Sequence, residues 1–240
     1  MGRAQTPITF AHRGGRGDAP ENSIAAFSRS LALGARGLES DARLSGDGEV
    51  VLIHGSALRQ RWRRLPVREL SANRLAEMGV SRLDDLYAEC GSNYELSLDL
   101  KDPEVVAPLV EVAARAEATE RLWLCSNDLD VLERVRRDHP AVRVVHSMGR
   151  GARSDGLERH VAALAASGVA ALNLHEAAWT LGLVTLTRRF GLLSFAWDAQ
   201  EARRIRALLD MGVDAVYSDH VERMLATVGE WSTGDDPAGI

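Results

Sequence analysis

Five short segments of this chain end in an imidazole, a charged side chain or both. In the first, the apolar run ITFA at 8–11 precedes His12 and Arg13. A run of that kind is typical of a buried strand, so the residues at its end project from the edge of a sheet. The other four segments end at Glu39 with Asp41, at His54, at Asp99 with Lys101, and at Trp197 with Asp198. Together these groups indicate a site that binds a metal and a phosphate.

Three of these residues are carboxylates placed to share one cation. Glu39 and Asp41 are two residues apart on a predicted strand, so their side chains lie on the same face. Their like charges raise the pKa of each carboxyl group unless a cation lies between them. Asp99, at the end of a further strand, adds a third oxygen donor. Three hard oxygen donors predict Mg²⁺ or Ca²⁺, and no cysteine or paired-histidine spacing supports zinc.

The remaining polar residues meet the other needs of a reaction at phosphorus. Arg13 and Lys101 are local cations that would neutralise a bound phosphate. His12 and His54 are candidates to exchange protons with the attacking and leaving oxygens, because imidazole titrates near neutral pH. Trp197 is interpreted as a wall of the binding pocket, because a charged residue follows it at a strand end. Each residue alone also fits a purely structural role, so the functional interpretation depends on their joint position.

The elements that must position these residues alternate between strands and helices. The predicted barrel strands cover 8–12, 37–44, 94–101, 122–126, 142–147, 169–175, 192–197 and 213–219, with an added arm at 50–54. The predicted helices cover 25–33, 82–90, 105–116, 128–137, 157–167, 181–190, 201–211 and 220–228. Eight such units in about 250 residues predict an α/β fold, a (β/α)₈ TIM barrel with a β-hairpin arm after the second barrel strand. An open doubly wound sheet is the alternative, although no glycine-rich phosphate loop follows any strand.

The turn SGDG at 45–48 connects the second strand to the arm. This gap is too short for a parallel crossover, so the two strands are predicted to be antiparallel. A turn centred on residues 46 and 47 places Glu39 opposite His54, and a shifted turn places Asp41 there instead. In either register a carboxylate lies beside the imidazole. Because barrel enzymes carry their sites at the carboxyl ends of the strands, all these groups are expected at one rim.

Residues 1–228 are predicted to form a single barrel domain with a short excursion at 55–86 that breaks the alternation. The excursion carries Trp62 and seven arginines: Arg59, Arg61, Arg63, Arg64, Arg68, Arg74 and Arg82. Two interpretations stay open for it, a solvated basic loop over the barrel mouth and a surface that grips an anionic substrate. Residues 229–240 are polar and rich in glycine, and we expect a flexible C-terminal tail.

The composition excludes several classes of function. Of the 240 residues 45 % are apolar, which suffices for a packed core, and the net charge of -5 argues against nucleic-acid binding. Two cysteines form no disulfide framework, and no apolar stretch has the length of a membrane span or a signal core. We expect a cytoplasmic protein with a small-molecule phosphodiester as its partner, no nucleic acid and no membrane span. The oligomeric state stays open.

Six stretches of the chain resemble the glycerophosphodiester phosphodiesterase family, part of the phospholipase-C-like phosphodiesterase superfamily. They are AHRG at 11–14, PENS at 20–23, GARGLESD at 34–41, DGEVVLIH at 47–54, DLK at 99–101 and GVDAVYSD at 212–219. The resemblance implies a barrel enzyme that hydrolyses glycerophosphodiesters to glycerol 3-phosphate and a free alcohol. It also implies an acid/base pair, three metal ligands and two phosphate-binding residues: His12 and His54; Glu39, Asp41 and Asp99; Arg13 and Lys101.

The chain also departs from the family pattern. Gly55 stands where the family usually has aspartate, and Asp99 stands where it usually has glutamate. The family's Trp-Thr-Val-Asn run is WDAQ at 197–200, and Val221 replaces the proline of the closing motif. These departures leave two alternatives to hydrolysis open: a phosphodiester lyase that forms a cyclic phosphate, and a catalytically impaired phosphodiester-binding barrel.

Overall fold

A computed structural model of the chain describes residues 6–150 and 157–234, which contain twelve strands and nine α-helices. The strands are β1 (Ile8–Ala11), β2 (Gly37–Leu44), β3 (Val50–Leu52), β4 (Ala57–Gln60), β5 (Arg63–Pro66), β6 (Ser81–Arg82), β7 (Glu95–Leu100), β8 (Leu122–Ser126), β9 (Arg143–Ser147), β10 (Ala171–His175), β11 (Leu193–Trp197) and β12 (Ala215–Ser218). The helices are α1 (Ile24–Ala32), α2 (Ala72–Glu77), α3 (Leu83–Cys90), α4 (Val106–Arg115), α5 (Leu129–Asp138), α6 (Leu157–Ser167), α7 (Leu181–Arg189), α8 (Ala202–Met211) and α9 (Val221–Thr233).

Eight of the strands pair in parallel and close into a ring. Their order is β1-β2-β7-β8-β9-β10-β11-β12, and β12 pairs with β1 to complete the circle. Both faces of such a sheet are buried, which is why these segments are mostly apolar in sequence. The predicted (β/α)₈ barrel is confirmed. The strand β3 pairs antiparallel with β2 outside the ring and forms the predicted arm.

The register of the β2–β3 arm lies between the two that were predicted. Ala42 pairs with Leu52, which centres the connection on residue 47, half a residue from each predicted centre. Neither predicted pairing with His54 therefore forms in the ladder. The ladder ends at Leu52, and the side chain of His54 reaches Asp41 from just beyond it, with the imidazole 2.9 Å from the carboxylate. The carboxylate and the imidazole are therefore neighbours, as predicted, although their residues are not cross-strand partners.

An aromatic layer fills the interior of the barrel beneath the rim. Phe10 stacks on Tyr217 with ring centroids 4.5 Å apart, and Phe195 lies 5.9 Å from Phe10. Phe10 and Tyr217 each come two residues before a polar residue at the strand end, His12 and Asp219 respectively. The packed layer thus closes the barrel from within, and polar groups gather above it at the carboxyl ends of the strands.

The arginine-rich excursion at 55–86 has a folded structure. It contains the β4–β5 hairpin, the helix α2 and the short strand β6, which pairs with β3. A small separate core supports it, made of Val51, Val67, Ala72, Leu75 and Val80. No helix in the described parts of the chain is both long and apolar enough to cross a membrane.

The last helix extends into the predicted C-terminal tail. The helix α9 continues to Thr233, and the indole of Trp231 donates a hydrogen bond to Asp210 at 3.0 Å. The helix thus ends five residues after the predicted end at 228, and the flexibility predicted over 229–240 stays a prediction; residues 235–240 lie outside the described residues. Glycine and polar residues suggested a tail, but Val228 and Trp231 pack on the main core and extend the helix.

Substitutions at two glycines are expected to change the free energy of unfolding in opposite directions. A Cβ at Gly37 would lie 2.5 Å from Phe10 Cδ1, whereas nothing lies within 4 Å of the Cβ position at Gly229 in α9. We expect Gly37→Ala to lower the free energy of unfolding by about 1–3 kcal/mol through overpacking. We expect Gly229→Ala to raise it by about 0.5–1 kcal/mol through helix propensity. Urea unfolding measures both, and a destabilised Gly229→Ala would contradict the extended helix.

Candidate active site

A pocket of about 560 Å³ opens at the carboxyl ends of the barrel strands. All eight residues assigned to a site from the sequence line it: His12, Arg13, Glu39, Asp41, His54, Asp99, Lys101 and Trp197. They follow or belong to four barrel strands and the arm, so they are far apart in the chain and adjacent in the pocket. The closure of the barrel is what brings them together.

Glu39, Asp41 and Asp99 form an acidic cluster in which one oxygen of each residue lies within 4.8 Å of the others. The parallel register of β2 and β7 places Asp41 beside Asp99, and Glu39 shares the face of Asp41. Asp41 Oδ2 is buried and has no hydrogen-bond partner. A buried carboxylate oxygen without a partner is costly, and a hard divalent cation would satisfy it. The cluster therefore fits a hard divalent cation by the chemistry and the proximity of its oxygens.

The protonation of the cluster reflects its burial and crowding. Burial raises the pKa of Glu39 to about 7, with the charges of Asp41 and Asp99 adding to the rise and His12 opposing it. Burial likewise raises the pKa of Asp99. Burial also acts to raise the pKa of Asp41, but Lys101 and His54 together outweigh it and the pKa is lowered. Lys101 Nζ lies 2.9 Å from Asp41 and 3.1 Å from Asp99. The raised pKa of Glu39 and the ammonium group of Lys101 both act to reduce the negative charge of the cluster when no metal is bound.

The turn after β1 positions Arg13 against the same carboxylates. Arg13 has a φ of 49°, a left-handed conformation that is uncommon for residues other than glycine. In this conformation its backbone N–H donates a hydrogen bond to Glu39 Oε2 at 2.8 Å. Its guanidinium donates to Glu21 at 2.9 Å and has Nε 3.4 Å from Asp41 Oδ2. The unusual backbone thus orients one predicted metal ligand and one predicted phosphate-binding side chain together.

His12 lies between two carboxylates. Its Nδ1 is 2.5 Å from Asp219 Oδ1, and its Nε2 is 3.7 Å from Glu39 Oε2. Burial acts to lower the pKa of His12, but Glu39 and Asp219 outweigh burial and the pKa is raised. Because Asp219 accepts a hydrogen bond from Nδ1, the other ring nitrogen of His12 faces the acidic cluster.

His54 approaches the cluster from the arm. Its Nδ1 is 2.9 Å from Asp41 Oδ1 and 3.0 Å from Arg13 Nη2. Only one of these two contacts is a hydrogen bond at any time, because a single ring nitrogen cannot donate and accept at once. When Nδ1 carries a proton it donates to the carboxylate, and when it carries none it accepts from the guanidinium. The side chain is 49 % exposed, which leaves the ring open to the pocket.

Asp219 is a residue that sequence analysis left out of the site. It follows β12, and the register of Ala11 with Ser218 in the β1–β12 pair places Asp219 beside His12. The signal was present, because a closed barrel requires the first and last strands to be neighbours. The carboxylate of Asp219 also forms an ion pair with Arg16 Nε at 3.0 Å.

The far wall of the pocket is formed by Trp197 and its neighbours. His175 packs edge-on against Trp197 with centroids 4.7 Å apart, and the Arg150 guanidinium lies 5.9 Å from the centroid of the same ring. Arg150 and His175 both contact the carboxylate of Asp198. The sequence indicated Trp197, but Arg150 and His175 could be placed there only once the neighbouring strands were known.

None of the seven arginines of the 55–86 excursion is among the described residues that line this pocket. The basic groups in the pocket wall are instead Arg13, Arg16, Lys101 and Arg150, together with the two histidines. No contact among the described residues therefore supports the interpretation that the excursion binds the substrate directly in this pocket.

A closed TIM barrel with an acidic cluster, two imidazoles and local cations at one rim defines a phosphodiesterase-type barrel. The profile of the Glycerophosphoryl diester phosphodiesterase family matches residues 12–105 and 85–223. The chain belongs to this family, which confirms the resemblance drawn from the sequence, and it is a phosphoric diester hydrolase.

Known proteins resemble the chain over nearly its whole length. A glycerophosphodiester phosphodiesterase of Caldanaerobacter subterraneus subsp. tengcongensis is 24 % identical over 92 % of this chain and 97 % of that protein. The crystal structure of a glycerophosphodiester phosphodiesterase from Thermotoga maritima matches with a TM-score of 0.81, at 21 % identity, over 92 % and 98 % of the two chains. A phosphodiesterase from Oleispira antarctica in complex with the product sn-glycerol-3-phosphate matches with a TM-score of 0.78, at 23 % identity, over 93 % and 97 %.

The raised pKa of Glu39 predicts a pH-dependent cost to stability in the metal-free protein. Its pKa is about 7 in the fold and lower when unfolded, so the contribution of this group to stability falls as the pH rises toward 7. We expect Glu39→Gln to gain stability relative to the parent between pH 5 and pH 8 by as much as about 3 kcal/mol. Urea unfolding in a chelator measures this difference, and Glu111→Gln, at an exposed site of α4, is the control. The same stability difference at both pH values would contradict the assignment.

Proposed function

We propose that this hydrolase converts glycerophosphodiesters to glycerol 3-phosphate and an alcohol with a divalent cation, Mg²⁺ or Ca²⁺, at the acidic cluster. One observation carries the proposal: two imidazoles approach the same cluster, with His12 3.7 Å from Glu39 and His54 2.9 Å from Asp41. Family membership supports the substrate class. The Oleispira antarctica structure, with sn-glycerol-3-phosphate as its product, agrees with the proposed product.

Glu39, Asp41 and Asp99 would hold the cation, since the buried Oδ2 of Asp41 has no hydrogen-bond partner among the described residues and only Arg13 Nε lies near it, at 3.4 Å. When bound, such a cation polarises a phosphoryl oxygen and offsets the charge of the substrate. Lys101 and Arg13, which contact the same carboxylates, are placed to neutralise the other phosphate oxygens. Trp197 forms the wall against which the organic part of the substrate would pack.

The two histidines then divide the proton transfers of hydrolysis. A water oxygen bonds to phosphorus from one side while the bond from phosphorus to the alcohol oxygen breaks on the opposite side. One imidazole takes a proton from the water, and the other gives a proton to the leaving alcohol oxygen. Asp219, as the acceptor of the Nδ1 proton, orients His12 so that Nε2 faces the reaction and stabilises the imidazolium form.

Product analysis by phosphorus NMR tests the reaction and its alternatives. With glycerophosphocholine and added Mg²⁺ or Ca²⁺, the proposal predicts glycerol 3-phosphate as the first phosphorus product and none in a chelator. Accumulation of a cyclic phosphate would assign the chain to the lyases instead. A melting temperature raised by the diester, without turnover, would identify a binding barrel that has lost catalysis.

Replacing the histidines tests their roles in the same assay. We expect His12→Ala and His54→Ala each to lower kcat about a hundredfold or more, the range of general acid/base catalysis. His139→Ala, which changes a histidine at the end of α5 outside the pocket, is the matched control and should keep full activity. Undiminished turnover in either of the first two variants would overturn the role given to that residue.

Asp219→Asn tests whether Asp219 positions and charges His12. The carboxylate raises the pKa of His12, so its loss should move the limb of the pH–rate profile that belongs to His12 to lower pH. We also expect kcat to fall about tenfold or more, because the ring loses its partner. Asp138→Asn, on the surface of α5, is the control. An unchanged profile with lower activity would show that Asp219 acts on folding alone.

A further inference from the structure

The tip of the β4–β5 hairpin presents a fully exposed indole to solvent. Trp62 is 99 % exposed and is one of three exposed large apolar side chains among the described residues. Arg61 before it has a φ of 54°, a strained conformation for an arginine in a two-residue turn. A turn built for stability alone would favour glycine or asparagine at position 61. The exposed indole of Trp62 likewise gains no stability from packing within the chain.

The strands beside Trp62 concentrate positive charge. Arg59, Arg61, Arg63 and Arg64 lie within six residues, and no acidic residue occurs between Val50 and Arg68. Arg59 and Arg64 are directly cross-strand partners, an arrangement that destabilises a hairpin unless an anion lies nearby. In the described parts of the chain, none of these four arginines forms an ion pair, whereas Arg68 and Arg74 do.

The hairpin is attached firmly to the rim of the active site. The strand β4 begins three residues after His54, which lines the pocket. Leu58, at its base, packs against the small core of Val51 and Val67. The charged and aromatic tip is thus carried on a folded support that starts at the entrance to the pocket, and it is not a loose loop.

We propose that the tip of this hairpin, Arg59 to Arg64, docks the protein onto an anionic phospholipid surface. Indole rings are favoured at the boundary between headgroups and acyl chains, and each arginine near an anionic surface adds attraction. The net charge of the chain is -5, so attraction to an anionic surface needs a local group of cations, and the tip supplies one. A polyanion that contacts a broad face would instead meet the overall negative charge. The docking would place the pocket rim beside lipid-derived diesters.

Vesicle cosedimentation tests the charge contribution. We expect the protein to bind vesicles of phosphatidylcholine with phosphatidylglycerol, not phosphatidylcholine alone, and to be released by high salt. Arg59→Ser with Arg63→Ser should weaken the partition about tenfold or more. Arg134→Ser with Arg203→Ser changes the net charge equally at exposed sites on two helices and should have little effect. Equal weakening by both pairs, or no binding to the anionic vesicles, would overturn the proposal.

The indole is tested in the same assay. We expect Trp62→Ala to weaken the partition about tenfold or more, which is what burial of one large apolar side chain provides. Leu181→Ala removes another large exposed apolar side chain, 63 % exposed, and should leave binding unchanged. Unchanged melting temperatures would show that both variants fold. Undiminished vesicle binding by Trp62→Ala would contradict the proposed contact.

Two other occupants of the hairpin are distinguished by the same variants. Tighter binding of a duplex oligonucleotide than of anionic vesicles at equal salt would assign the tip to nucleic acid and overturn the proposal. A doubled mass in lipid-free solution that Trp62→Ala abolishes would assign it to a second copy of the chain. None of these measurements uses turnover, so their failure leaves the proposed hydrolysis untouched, and a failure of hydrolysis leaves the docking test valid.

Discussion

Repulsion among the carboxylates of Glu39, Asp41 and Asp99 is the constraint on which the rest of the active site depends. The backbone of two adjacent parallel strands holds these groups within 4.8 Å of one another, and the burial of Glu39 and Asp41 withholds water that would screen their charges. The surrounding cations are placed to offset this repulsion. Lys101 lies within 3.1 Å of two of the carboxylates, and the pKa of Glu39 rises to about 7. This repulsion destabilises the cluster when no cation is present, and a divalent cation would stabilise the cluster by offsetting it.

The closure of the barrel brings two imidazoles to this cluster, as the proposed acid/base chemistry requires. The pairing of β1 with both β2 and β12 brings His12 between Glu39 and Asp219, although more than two hundred residues separate the first strand from the last. The arm supplies His54 from the other side by ending its ladder just before the imidazole. The aromatic layer beneath the rim packs β1 against β11 and β12. The strand pairings that stabilise the barrel therefore also set the geometry of the site.

Sequence patterns predicted the part of this arrangement that local chemistry encodes. The alternation of strand and helix predicted the barrel, and charged residues at strand ends predicted eight residues that line the pocket. Long-range partners were harder, because Arg150 and His175 reach Trp197 from neighbouring βα units whose order the sequence does not state. The arm register and the end of α9 also escaped prediction. The register of the arm depends on where its turn is centred, and a shift of half a residue changes every cross-strand pair. The polar composition after Val228 suggested a tail, although the helix continues and packs through Trp231.

Crystals grown with Ca²⁺ and glycerol 3-phosphate, measured by anomalous diffraction, would show whether the acidic cluster holds the cation. We expect one calcium peak with oxygens of Glu39, Asp41 and Asp99 at about 2.3–2.6 Å, and the phosphate between the two imidazoles. A calcium ion bound by other carboxylates, with Lys101 still occupying the cluster, would contradict this expectation.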